Sequence, residues 1–228
     1  MFNPIHMNMM KNPRNDFLIV ALDFDNIQKV NELIDLIPEV NFYKVGMELF
    51  YSTGPEIIKI IKNQGKKIFL DLKINDIPKT IEKTVRKLAS YDVDYLTIFC
   101  NQEGIIAARE GAGASKTKIL NVTVLTSQEA SSSDVIVRAK MSFSAGADGI
   151  ICSGRETKEI RKEIQNNEFI IVNPGIRLIS GNDDQIRTVT PAEAKQYGAT
   201  NIVVGRPITQ SIEPKMAVLN ILKSCGLE

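Results

Sequence analysis

Lys67-Ile68-Phe69-Leu70-Asp71-Leu72-Lys73-Ile74-Asn75-Asp76 begins as an apolar strand and ends in three ionisable groups. Packing alone gives no reason for them. Side chains alternate faces along a strand, so Asp71 and Lys73 share one side, roughly 7 Å apart, while Leu70, Leu72 and Ile74 line the other. Turning a carboxylate and an ammonium toward an interior costs several kcal/mol per ion unless they pair. A catalytic cleft is the commonest use for such an arrangement.

Short runs rich in Val, Ile and Phe recur on both sides of this strand, with helix-patterned stretches between them. The eight candidate strands are Phe17–Leu22, Phe42–Val45, Lys67–Leu72, Tyr95–Phe99, Ile119–Val124, Gly149–Cys152, Phe169–Val172 and Asn201–Val204. Apolar residues at helical spacing mark Asn26–Ile37, Pro55–Asn63, Ile77–Ser90, Gly104–Ala112, Val135–Ala145, Glu156–Asn166, Pro191–Tyr197 and Met216–Lys223. Asn26 and Thr190-Pro191 are helix-start signals, and Gly65, Gly146 and Gly198 fall where helices should stop. Alternation on this scale predicts a single-domain (β/α)8 TIM barrel, with an open doubly wound sheet as the structural alternative.

The chain of 228 residues, 43% hydrophobic, is long enough for one such domain over 16–228. Its 28 basic and 27 acidic residues are interspersed, which leaves no electrostatic footprint for nucleic acid or a membrane surface. Cys100, Cys152 and Cys225 are too few and too scattered for a disulfide framework and suit a reducing compartment. Residues 1–15 lack the apolar core of a signal peptide and read as a flexible extension, and no run approaches about 18 apolar residues. A cytoplasmic enzyme acting on a small molecule is expected.

In a barrel of this kind the active site lies where the strands end at their carboxyl side. Asp23 follows the first strand, Lys44 and Gly46 close the second, and Asp71, Lys73 and Asp76 end the third. Thr126 and Ser127 follow the fifth, Asn173-Pro174-Gly175-Ile176-Arg177 the seventh, and Gly205-Arg206-Pro207-Ile208 the eighth. Gly205 and Arg206 offer backbone N–H groups and a guanidinium suited to a phosphate, at the corner where such barrels usually bind one. The polar stretch 178–190 reads as a lid, with an idle solvated loop as the alternative. Taken singly, Lys44 reads as an exposed strand-end lysine, Asp23 as a helix cap, and Thr126-Ser127 as a cap of the next helix. The only histidine is His6, so no Cys-His, Ser-His-Asp or histidine-rich metal centre can be assembled, whereas a carboxylate-bound Mg²⁺ stays open.

Taken together and in order, these segments resemble the orotidine 5′-phosphate decarboxylase family. The likeness rests on Ala21-Leu22-Asp23, Lys44-Val45-Gly46, Phe69 to Lys73 with Asp76-Ile77-Pro78 and Thr80, Val122 to Ser127, Pro174 to Arg177, Gln185, and Gly205-Arg206-Pro207. The resemblance implies conversion of orotidine 5′-monophosphate to uridine 5′-monophosphate in pyrimidine biosynthesis, with no cofactor and no metal. It implies that Lys73 protonates C6 of the pyrimidine within a charge array of Lys44, Asp71 and Asp76. It further implies a homodimer in which Asp76 and Thr80 reach into the partner's site. Asp23 and Lys44 would bind ribose hydroxyls, Thr126 and Ser127 the pyrimidine edge, and Gln185, Gly205 and Arg206 the phosphate. Arg177 would anchor the lid, and Ile77 and Pro174 complete the substrate contacts.

Two departures stand out. The chain reads Phe99-Cys100-Asn101-Gln102-Glu103-Gly104 where many relatives have a histidine-containing small-residue stretch, and Asn173 replaces a frequent threonine. The rival readings are a Mg²⁺-dependent sugar-phosphate decarboxylase or aldolase of the same barrel superfamily, and a catalytically silent phosphate-binding barrel. The former would be expected to offer a carboxylate where this chain has Lys44.

Overall fold

A computed structural model of the chain describes residues 16–125, 130–177 and 189–227. The proposed extension 1–15 lies outside them, as do Thr126, Ser127 and Gln185. Among the described residues eight parallel strands close into a barrel in sequence order. They are β1 (Leu18–Ala21), β2 (Phe42–Gly46), β3 (Lys67–Ile74), β4 (Tyr95–Ile98), β5 (Lys118–Val122), β6 (Gly149–Ile151), β7 (Ile170–Asn173) and β8 (Asn201–Val204). Closure is completed by β1 pairing with β8, Ile19 opposite Val203. The doubly wound alternative is thereby excluded.

Among the described residues ten helices follow the strands, two of them after β2 and two after β8: α1 (Ile27–Leu36), α2 (Met47–Thr53), α3 (Glu56–Asn63), α4 (Pro78–Ala89), α5 (Gln102–Ala112), α6 (Ser132–Ser144), α7 (Gly154–Glu163), α8 (Pro191–Gln196), α9 (Arg206–Thr209) and α10 (Pro214–Ser224). Each of the eight expected helices is present. Several begin earlier than their apolar pattern, because the capping residue precedes the first buried position by about a turn. Ser131 caps α6 by accepting from the Asp134 N–H, and Asn101 caps α5 by accepting from the Gly104 N–H. Asn26 caps α1, and Thr190 with Glu193 forms a reciprocal capping box on α8, as the sequence predicts. The short α2 was not expected.

Two apolar layers result. Ile19, Phe42, Phe69, Leu120, Val122, Ile151, Val172 and Val203 fill the barrel, while Val20, Tyr43, Leu70, Leu96, Ile202 and their neighbours meet the helices. Helices α4 and α5 approach closely at Gly111, where an added Cβ would collide with the Glu82 carbonyl oxygen. No helix among the described residues is long and apolar enough to cross a membrane.

The barrel also buries groups that must stay neutral. Burial pushes the Cys152 thiol up to about 12 from an ordinary 9.0, and raises Tyr43 and Tyr95 as well. Between pH 9 and 12 the unfolded chain therefore holds fewer protons at Cys152 than the folded one, and stability falls as pH rises through that window. At ~1.4 kcal/mol per pH unit, the thiol alone accounts for about 2 kcal/mol lost by pH 10.5. Urea unfolding at pH 8 and 10.5 measures this, and Cys152→Ala should flatten the slope by about that amount.

Candidate active site

Strand β3 does not reach its charged end by regular alternation. Leu70 pairs with Leu96 and Ile74 with Ile98, so three residues of β3 stand opposite Thr97 alone. Within this bulge Lys73 takes a left-handed backbone, with φ of 48°. For a residue bearing a Cβ that conformation costs roughly 1–2 kcal/mol, so its surroundings must hold it. Thr97 supplies part of the hold: its buried hydroxyl accepts from the Lys73 N–H at 3.0 Å and donates to Asp71 Oδ1 at 2.8 Å. The shared face predicted for Asp71 and Lys73 is present, although the strand reaches it through a bulge and not by regular pairing.

The bulge brings four charges into a ladder at the carboxyl end of the barrel. Lys73 Nζ lies 2.9 Å from Asp71 Oδ2, Lys44 Nζ lies 3.7 Å from the same oxygen, and Lys44 Nζ lies 3.2 Å from Asp23 Oδ1. The Asp71 and Lys44 side chains are only 14% and 13% exposed, so the isolated reading of Lys44 as a solvated strand end does not hold. Nor is Asp23 a helix cap, since Asn26 fills that role. Two cations and two anions in alternation largely cancel, which allows Lys44 and Asp71 to lie beneath the rim.

Lys44, Asp71 and Lys73 meet a cavity of about 200 Å³ whose remaining wall is Phe69, Val122, Val124, Leu125, Ile151, Pro174 and Val203. An apolar wall against an ammonium and a carboxylate suits a planar ring with one reacting edge, and lowers the local dielectric. Gly205, at the N-terminus of α9, closes on the same corner: a Cβ there would stand 3.2 Å from Asp23 Oδ2. Arg206 opens α9 beside it.

Other predicted residues stand apart. The Asp76 carboxylate accepts from the Ile77 N–H at 2.7 Å and faces a rim cavity with Phe99, Cys100, Asn101, Glu103 and Arg138. Within one chain the charges in contact are therefore Asp23, Lys44, Asp71 and Lys73. Ile77 and Thr80 are exposed at the start of α4 on that rim. Arg177 lines a separate cavity of about 440 Å³ with Arg155, Lys158, Val189 and Glu193. Its backbone N–H donates to Val189 O at 3.2 Å, and Ile176 bridges Val189, so the two ends of segment 178–188 are tied together.

The departures have structural consequences. Asn101 caps α5, and Gly104 lets that helix pack on Cys100, whose Cβ would lie 2.6 Å from an added methyl. Buried Asn173 donates to Cys152 O at 3.0 Å and accepts from Thr157 Oγ1 at 2.9 Å, which pins β7 to β6 and α7. Sequence reasoning passed over Thr97. Its one signal was a polar residue inside Tyr95-Leu96-Thr97-Ile98, where β-branching reads equally well as strand propensity.

The family model described as "Orotidine 5'-phosphate decarboxylase / HUMPS family" matches residues 16–221. The chain belongs to this orotidine 5′-phosphate decarboxylase / HUMPS family. Among its curated members, the orotidine 5′-phosphate decarboxylase of Staphylococcus haemolyticus is 43% identical over 216 residues, covering 87% of this chain and 94% of the relative. That of Lactobacillus gasseri is 42% identical over 230 residues, covering 90% and 97%. A crystal structure of orotidine 5′-phosphate decarboxylase from Lactobacillus acidophilus superposes with a TM-score of 0.79 at 38% identity, covering 91% of this chain and 98% of that one. An uncharacterized conserved protein from Geobacillus kaustophilus gives 0.77 at 30% identity, covering 91% and 99%. Membership of the family agrees with the barrel and with the resemblance carried by the strand ends.

Proposed function

We propose that this protein decarboxylates orotidine 5′-monophosphate to uridine 5′-monophosphate in pyrimidine biosynthesis, without a cofactor and in the cytoplasm. The observation that carries the reading is the Asp23–Lys44–Asp71–Lys73 ladder facing an apolar cavity in a member of this family. When the C6–CO₂ bond breaks, its electron pair remains on C6 in an orbital the ring cannot delocalise. The site must therefore stabilise that charge electrostatically and then quench it.

Lys73 does both. Its ammonium stands beside the developing carbanion, donates a proton to C6, and is reprotonated from solvent after CO₂ departs. Asp71, 2.9 Å away, attracts and holds the ammonium; at an effective dielectric of about 20 and 4 Å such a contact is worth roughly 4 kcal/mol. The same carboxylate repels that of the substrate, a strain relieved as CO₂ leaves, although the contribution is secondary to carbanion stabilisation. Asp23 and Lys44 take the ribose hydroxyls, Thr126 and Ser127 the pyrimidine edge, and Gln185, Gly205 and Arg206 the phosphate. Arg177 anchors the lid through the tie between Ile176 and Val189. Asp76 and Thr80, outside the ion-pair ladder of their own chain, serve the site of a second copy in a homodimer.

A Mg²⁺-dependent sugar-phosphate enzyme of the same superfamily would want a carboxylate on β2 facing Asp71, where this chain puts Lys44. Loss of orotidylate absorbance with purified protein in excess EDTA separates the readings. Full turnover is expected. Inactivity restored by Mg²⁺ would establish the rival, and nucleotide binding without product would establish a silent barrel.

A further inference from the structure

We propose that Thr97 is a positioning residue for proton transfer, holding Lys73 through its backbone and Asp71 through its carboxylate at once. The inference rests on the decarboxylase reading and adds to it a group that touches no substrate. Three residues of β3 face Thr97 alone, so the Lys73 N–H cannot pair in the regular β3–β4 ladder. The Thr97 hydroxyl takes that place, accepting from Lys73 N at 3.0 Å while donating to Asp71 Oδ1 at 2.8 Å.

The chemistry of the two partners makes the assignment unique. A backbone N–H can only donate and a carboxylate can only accept, so the bridging atom must do both, and a hydroxyl is the smallest side-chain group that can. Its proton is committed to Asp71 and a lone pair to Lys73. Thr97 is fully buried and water does not compete for it.

Two degrees of freedom are removed together. The left-handed turn at Lys73, φ 48°, fixes the path by which its side chain enters the cavity beside Asp71. The bond to Oδ1 leaves Oδ2 to face both ammonium groups, at 2.9 Å from Lys73 and 3.7 Å from Lys44. Without the hydroxyl, the strained backbone relaxes and the carboxylate can rotate. The proton donor is then misplaced without any loss of charge.

Thr97→Val keeps the shape and strand propensity but can neither donate nor accept. Its kcat should fall about 100-fold, the effect of a donor displaced by ~1 Å, with KM and uridine 5′-monophosphate affinity nearly unchanged. Exchange of the C6 proton of bound uridine 5′-monophosphate into D₂O, which runs the same proton transfer in reverse, should fall in parallel. Thr97→Ser, which restores the bridge, should recover both to within about threefold. If Thr97→Val does not fold, Thr97→Ala replaces it in the comparison with Thr97→Ser. Wild-type kcat without the hydroxyl, or a Thr97→Ser variant as slow as Thr97→Val, overturns the proposal. Lys73→Ala run alongside separates the two levels: if it retains activity the decarboxylase mechanism fails, whereas if it alone is inactive only the role of Thr97 fails.

Discussion

Lys73→Ala is expected to fold, to bind uridine 5′-monophosphate and to lose about 10⁴-fold or more in kcat. General acid catalysis by a positioned group contributes 10²–10⁴-fold, and removing a preorganised electrostatic partner costs about 10²–10³-fold. On the proposed mechanism Lys73 fills both roles, so the losses compound. Stability should change little, because the Lys73 side chain is 31% exposed and the vacated Asp71 keeps Lys44 and the Thr97 hydroxyl as partners. Steady-state rates, thermal unfolding and nucleotide affinity of the variant measure the three statements separately. Near-normal turnover by a folded variant contradicts the assigned role.

Mixing two inactive dimers should restore activity if Asp76 serves the neighbouring site. After subunit exchange between Lys73→Ala and Asp76→Ala proteins, half of the dimers are hybrids, and one site in each hybrid carries both residues intact. Recovery of about a quarter of wild-type activity follows from that symmetry. The expectation is motivated by Asp76 lying on the Phe99–Arg138 rim of its own chain, away from the ladder that holds Lys73. Exchange shown by mass spectrometry with no recovered activity would remove Asp76 from the shared site.

Much of this was readable before the structure, for physical reasons that differ from part to part. The barrel followed from short apolar runs bounded by Gly, Asn and Asp, because a buried parallel strand leaves little choice of residue. Asp71 and Lys73 were conspicuous because charge at the end of such a run has no packing explanation. What the pattern could not supply was the bulge. Regular alternation already puts residues 71 and 73 on one face, and nothing in a lysine codes for φ of 48°. That conformation is imposed by β4, through a threonine whose sequence signal is strand propensity.

Helix α2 escaped for a related reason. It follows β2 directly through Gly46, has no side-chain cap, and buries only Leu49 of its seven residues, so no apolar period announces it. Asp76, which the resemblance assigns to the partner's site, lies beyond the end of β3, where Asn75 leads the chain to the rim. Within one chain Asp23, from β1, extends the ladder through Lys44. Long-range pairing of this kind is set by barrel register, Ala21 beside Lys44 and Gly46 beside Asp71, which no local motif encodes.

A crystal structure with uridine 5′-monophosphate bound is the most direct measurement of the central claim. Lys73 Nζ should lie about 3–3.5 Å from C6, the separation required for proton transfer, with Asp71 in contact behind it. An ammonium turned toward the outer helices, or separated from the base by ordered water, would contradict it.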